Sequence, residues 1–350
     1  MKKIIVISFC LLFFLNLWSS EVKRVSVTKV KLERSFPQQH VYFKSIPVVD
    51  TDKAGFIYAV DNREHTLFKF DSEGKLLAKI GGWGQGPGEL QWPAKISVDK
   101  STGQIFVKDN IGIVMYDPQG SFLRRIRTFT GILNFEASLG KIMVLEPIPG
   151  KQDLIGVYDY QGTRINSIGQ KYELDYSLSK EIGPGFLDRM VNDGAVLFDG
   201  NYIYYVSYVF AEIRIYDSSG LLISEKKLSG PGNLEKYREE YRKIFFEKGV
   251  KKNSDGTITN WRIFNDACLN GDYLYLLMLG YITGSTYEVL VIDKKSLEIE
   301  ERMILPDDIY PEMVRVIPTD GKNSILFAIS FQGKINGDIM IGIFKKEGLK

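Results

Sequence analysis

At 350 residues, with 44% hydrophobic and 25% charged side chains, the chain has the composition of a folded globular protein long enough to bury a large core. Its 45 basic and 43 acidic residues nearly cancel, which argues against a nucleic-acid binder that neutralises phosphates through a basic excess. The 19 Tyr and 21 Phe suit half-buried pleated strands better than helices.

The first 20 residues, Met1-Lys-Lys followed by an apolar run from Ile4 to Leu17 and then Trp18-Ser-Ser20, read as a signal peptide with a short basic head. The run falls short of the roughly 20 residues a membrane span needs. Leu17 or Trp18 stands where a cleavage site favours a small side chain, so an uncleaved N-terminal anchor is the alternative. Either way the chain is expected to be exported, to the periplasm or outside the cell. Cys10 follows Phe9 inside the apolar run and fits a lipid-attachment site badly. Loss of residues 1–20 removes Lys2 and Lys3 and no acid, leaving 43 basic against 43 acidic residues. Cys268 is then the single cysteine, expected as a small buried core residue.

Val25 to Leu32 is strand-like and belongs to no later unit. From there one phrase recurs: an apolar strand ending in an aromatic-Asp pair, a turn, a glycine, then another apolar run. It reads Leu67-Phe-Lys-Phe-Asp-Ser-Glu-Gly74, Ile113-Val-Met-Tyr-Asp-Pro-Gln-Gly120, Gly156-Val-Tyr-Asp-Tyr-Gln-Gly162 and Ile213-Arg-Ile-Tyr-Asp-Ser-Ser-Gly220. Weaker copies are Val289-Leu-Val-Ile-Asp-Lys-Lys-Ser296 and Ile341-Gly-Ile-Phe-Lys-Lys-Glu-Gly348. Repetition of this kind decides architecture, because each unit buries its apolar faces only against its neighbours. The best-formed unit, Val48 to Pro93, holds four short strands in about 45 residues, the size of a propeller blade.

In Ile57-Tyr-Ala-Val-Asp-Asn-Arg63, Phe70-Asp-Ser-Glu-Gly-Lys-Leu-Leu77, Gly84-Gln-Gly-Pro-Gly-Glu-Leu90, Pro93 and Ile96-Ser-Val-Asp99, the chain resembles the NHL-repeat-type six-bladed β-propellers of exported bacterial proteins. The likeness is specific over residues 48–126, and it implies a fold more firmly than an activity. The expected fold is all-β: one domain, residues 21–350, of six four-stranded blades at about 44–92, 93–130, 131–170, 189–230, 261–306 and 311–350. Blade six has three strands of its own, and residues 25–32 are expected to supply the fourth and close the ring.

The repeat stretches in two places. Asp71 to Asp117 and Asp117 to Asp159 are 46 and 42 residues, whereas Asp159 to Asp217 and Asp217 to Asp293 are 58 and 76. The surplus forms insertions at 170–188 and 231–260. Within the second, Asn233 to Lys248 reads as a helix between blades four and five, with Leu234, Tyr237, Tyr241, Ile244 and Phe245 on one stripe, Asn233 as cap and Gly249 as stop.

Blade strands alternate in direction, so links between blades emerge on the same face as links between second and third strands. Both insertions are links between blades, so this face is expected to carry the function. The candidates for ligand binding are Arg63, Trp83, Tyr172, Tyr176, Phe186, Tyr237, Arg238, Tyr241 and Arg242. Arg189, Arg262 and Arg315, with Lys95, are expected near strand starts beside the channel, where they favour an anionic group. The expected partner is a protein, a peptide or a glycan, with no nucleic acid, no cofactor, and membrane contact only through an uncleaved N-terminal segment.

Catalytic signals are sparse. The chain has only His40 and His65, too few for a three-histidine zinc site, and Gly82-Trp-Gly-Gln-Gly-Pro-Gly88 matches neither the dinucleotide nor the P-loop spacing. The competing class is enzymatic. Six-bladed lactonase-like hydrolases hold calcium on oxygen ligands in the channel, and Asn134, Asn192, Asp193 and Asp266 are the residues that would do so here in a lactonase, esterase or lyase.

Overall fold

The Asp of the recurring phrase closes a tight turn between the third and fourth strands of a blade. Asp117 Oδ1 accepts from the N–H groups of Gln119 (2.9 Å) and Ser121 (2.8 Å). Asp71, Asp159 and Asp217 do the same in their own turns. Gly120 completes its turn at φ 93° and also lets the next blade approach, because a Cβ there would stand 2.4 Å from Ile80 Cδ1. Gly120→Ala should therefore lower stability by about 1–3 kcal/mol, read as a drop in the urea midpoint.

The computed structural model describes residues 25–37, 42–127, 132–230, 232–259, 261–284, 286–317 and 326–347. The proposed signal peptide and His40 lie outside the described residues. Four four-stranded sheets and one eight-stranded sheet are present among the described residues. The former are blades one (residues 48–81), two (95–126), three (134–170) and four (194–227). The latter joins blade five (264–304), strand Ser26–Phe36 and blade six (309–346). First strands Val48–Thr51, Lys95–Val98, Asn134–Ser138, Gly194–Phe198, Phe264–Asn270 and Ile309–Ile317 neighbour one another in sequence, and the last returns to the first. Six blades thus surround one axis. Between them lie apolar layers such as Tyr58, Leu67, Val98, Ile105 and Tyr116, which join blades one and two.

Strand Ser26–Phe36 closes the ring and reaches further than residues 25–32. Residues Ser26 to Lys29 run parallel to Glu301 through Ile304 of blade five. Val30 to Phe36 then pair antiparallel with the last strand of blade six, after a register shift between Leu32 and Arg34. At its end Phe36 is buried, 4.9 Å from the Phe70 ring, and lies where a Cβ on Gly74 would be. Phe36 thus does for blades six and one what Ile80 does for blades one and two.

The first insertion, residues 171–193, carries a 3-10 turn at Tyr176–Ser179 and a helix, Pro184–Val191, neither of which the sequence reading assigns. Pro184 in the first turn suits a helix start, but eight residues behind Gly-Pro-Gly give too short a pattern to read. In the second insertion, helix Leu234–Lys243 continues as a π turn, Ile244–Lys248, and ends at Gly249 with φ 78°. The side chain of Asn233 does not cap it; instead its N–H donates to Ile282 O at 3.0 Å. Leu234, Tyr241 and Phe245 are buried as the stripe requires. Tyr237 and Ile244 are only half-buried, and Arg238 is buried with them because Nη1 donates to Leu228 O at 2.5 Å. The insertions touch each other through Val250 N–H to Ser179 Oγ (2.7 Å) and the Tyr172 and Phe246 rings (6.4 Å).

Candidate ligand-binding site

Alternation along each first strand turns every second side chain toward the axis. Charged groups from five blades meet there. Arg315 pairs with Asp266 through Nη1 and lies 3.4 Å from Asp50 through Nε. Asp50 in turn holds Lys100 Nζ at 3.0 Å and accepts from Val98 N–H at 2.7 Å, while Asp266 accepts from Val314 N–H at 2.9 Å. Burial works against the Arg315 charge, but Asp266 and Asp50 outweigh it and raise its pKa. Burial lifts the Asp266 carboxyl despite Arg315. Glu136, on the first strand of blade three, is pushed up to about 8 by burial and by Asp50, against Lys100 and Arg315.

The C-terminal ends of the first strands and the short turns after them enclose a cavity of about 540 Å³. It opens on the face opposite the insertions, which precede first strands and so stand at their other ends. Its wall combines the pairs Asp50/Lys100 and Asp199/Lys294 (2.9 Å) with Thr51, Ser101, Ser138 and Asn270. Leu139, Leu197, Phe198 and Val316 supply apolar surface. Volume and mixed lining fall in the range of small-molecule pockets. The channel continues toward the insertion face as a narrow space of about 20 Å³ bounded by Lys95, Asn134, Glu136, Asp266 and Arg315. Cys268 lies on the cavity wall with its thiol raised to about 12 by burial, which keeps it unreactive.

The residues expected to bind ligand fall into three groups. Those of the insertions mostly hold the insertions down. Tyr172 donates to Glu212 (2.8 Å) and stacks edge-on with Phe210, and Tyr176 donates to Asp188 (2.8 Å). Tyr237 and Tyr241 pack with Tyr281, and Arg242 lies over Phe210 and Phe246. Phe186 and Arg189 remain exposed, but Arg189 sits in the last turn of Pro184–Val191, donating to Gly185 O, and not at a strand start. The second group is Arg63 with Trp83, on links of blade one, away from the insertions that flank blade four. Trp83 (57% exposed) and Trp92 (45%) enclose His65, whose Nδ1 accepts from Trp92 N–H at 3.2 Å. The third is the channel set: Arg262, paired with Asp193 at the insertion-face mouth, and Arg315, deep in the channel and lining the cavity, not beside a strand start.

The oxygen set considered for calcium does not fit one ion. Asn192 is buried away from the channel, accepting from Tyr172 N–H (2.7 Å) and donating to Asp188 O (2.9 Å). Asp193 and Asp266 each face an arginine, and among the described residues no group of three or more His, Cys, Asp or Glu is placed to hold a metal.

Fold and axial cavity together define a β-propeller of the six-bladed class. The family described as a 6-bladed beta-propeller matches residues 37–137. A Bacteroides fragilis protein described as a "putative exported protein" is similar over 94% of this chain and 98% of its own, at 12% identity and a TM-score of 0.55. The WD40 repeats of RRP9 match over 93% of this chain and all of theirs (100%), at 8% identity and a TM-score of 0.52. A streptogramin B lyase follows at 14% identity, 91% and 97% coverage and a TM-score of 0.48, too distant to speak to chemistry. No curated protein matches the chain. Identities this low bear on the fold alone. No helix among the described residues is long and apolar enough to cross a membrane.

Proposed function

We propose that the chain is an exported NHL-type propeller that binds a short peptide or a glycan in the axial cavity, on the face away from its insertions. The observation that carries this reading is the cavity of about 540 Å³, with hydroxyls, an amide and paired charges on its wall. Hydroxyl- and amide-rich ligands match such a wall, because buried polar groups must find partners on both sides of the contact. The insertions support it indirectly. Their aromatic and basic residues are largely engaged in packing, which leaves them less to offer a partner than the sequence pattern implies.

The test is a glycan and peptide binding screen on the purified chain with two variants. Ser138→Trp, which fills the cavity from the end of a first strand, should weaken any hit at least tenfold, about 1.4 kcal/mol. Trp83→Ala should leave it unchanged. The opposite pattern would move the site to the insertion-bearing face and reject the cavity.

A further inference from the structure

The wall of the axial cavity has two unlike sides. Blades one and two give it Asp50, Thr51, Asp52, Lys53, Lys100 and Ser101, with no apolar side chain among them. Blades four and five, which stand opposite, give it most of its apolar surface in Leu197, Phe198, Ala267 and Leu269. Leu139 of blade three leans toward them, its Cδ1 3.2 Å from where a Cβ on Gly200 would stand. Leu139 is 51% exposed and holds φ 52°, in a two-residue turn between Ser138 and Lys141 that Asn-Gly fills more easily than Leu-Gly. The turn gains nothing from a bulky side chain in that backbone region, whereas the cavity gains apolar wall.

Among the charged groups the acids are saturated and the bases are not. Asp50 accepts from Thr51 N–H, Val98 N–H and Lys100 Nζ, and Asp52 accepts from Ala54 N–H, Phe56 N–H and the Tyr58 hydroxyl. Across the cavity Asp199 accepts from Asn201 N–H, Tyr202 N–H, the Tyr204 hydroxyl and Lys294 Nζ. Lys100 and Lys294 each give these carboxylates one N–H of the three an ammonium carries. Lys53 is exposed and has no partner among the described residues. Glu136, pushed up to about 8 by burial and then by Asp50, keeps its proton at neutral pH and is a further donor. What the charged groups have left to offer is therefore donors, which an anionic acceptor fits.

We infer that the cavity takes the carboxyl end of a peptide whose last side chain is apolar, with the carboxylate toward Lys53 and Lys100 and the side chain against Leu139, Leu197 and Phe198. This rests on the reading that the cavity is the ligand site, and within that reading it selects peptide over glycan. A neutral sugar brings neither the negative charge nor the apolar side chain. The side chains of Ser138 and Asn270 line the cavity without a partner among the described residues, and they suit the peptide groups that precede the carboxylate. A fatty acid has no such groups.

Calorimetry at pH 7 with acetylated tripeptides tests this. Two alanines followed by a C-terminal leucine, as the free acid, should bind about tenfold tighter than the same peptide as its amide. It should also bind about tenfold tighter than the free acid that ends in serine. Lys53→Gln combined with Lys100→Gln should bring acid and amide to within about threefold of each other. Leu139→Asn, which suits the left-handed turn and so keeps the fold, should reduce the preference for leucine over serine and leave the preference for the acid. If Ser138→Trp abolishes the binding, equal affinity for acid and amide, or octanoate bound as tightly as the leucine peptide, would overturn this inference and leave the cavity as the site. A glycan bound and lost in Ser138→Trp, with no binding of the leucine acid at millimolar concentration, would do the same. Leucine-peptide binding that survives Ser138→Trp would overturn the cavity and this inference together.

Discussion

A chain beginning at residue 38 should fail to give a soluble monomer, whereas a chain beginning at residue 25 should give one. Strand Ser26–Phe36 pairs on one side with blade five and on the other with blade six, so its removal bares two strand edges at once. Bare edges are templates for pairing with other chains, and aggregation is their usual outcome. Packing is lost too. Phe36→Ala alone should cost about 3–5 kcal/mol, a large share of the 5–15 kcal/mol typical of whole domains. Size-exclusion chromatography and urea unfolding of the three chains measure both effects, and a chain beginning at residue 38 that unfolds cooperatively at the midpoint of the chain beginning at residue 25 would refute the role given to this strand.

Arg315→Met should be nearly as damaging, by about 3–5 kcal/mol at neutral pH. Removing the guanidinium leaves Asp266 buried without its cation and Asp50 with Lys100 alone. The loss should depend on pH in a defined direction. Without Arg315 the Asp266 carboxyl, already raised by burial, loses the charge that holds it down, so the folded state holds its proton more tightly than the unfolded one. The penalty is then full above that raised value and shrinks as pH falls toward the ordinary carboxylate range. Urea midpoints of both proteins between pH 4 and 8 should converge at the acid end. A gap that is constant with pH would mean that Arg315 acts through packing and not through charge.

The fold was legible because its turns are written in residue chemistry. Asp71, Asp117, Asp159 and Asp217 each need a side-chain acceptor for their turn, and Gly120 needs both its dihedral angle and its bare Cα, so these residues mark the blades directly. The cavity was much less legible. Its wall is gathered from different blades, and Asp52, Ser101 and Asp199, taken singly, look like ordinary turn residues. The signal that was present lay inside first strands. Arg315 in Val-Arg-Val-Ile317 and Asp266 in Asn-Asp-Ala-Cys268 are charges within apolar runs, and such residues have a reason to be there. The insertions misled in the other direction, because an aromatic or basic residue on a long loop reads the same whether it awaits a partner or, like Arg238 and Tyr172, has one within the chain.

Strand Ser26–Phe36 runs parallel to the fourth strand of blade five, and fourth strands lead toward the insertion-bearing face. The polypeptide that precedes residue 25 therefore joins the propeller at the rim of the cavity face. A surface holding the protein by that segment would look into the mouth of the cavity, and the two insertions would point away from it. Such an orientation would favour ligands displayed on the same surface over ligands arriving from solution.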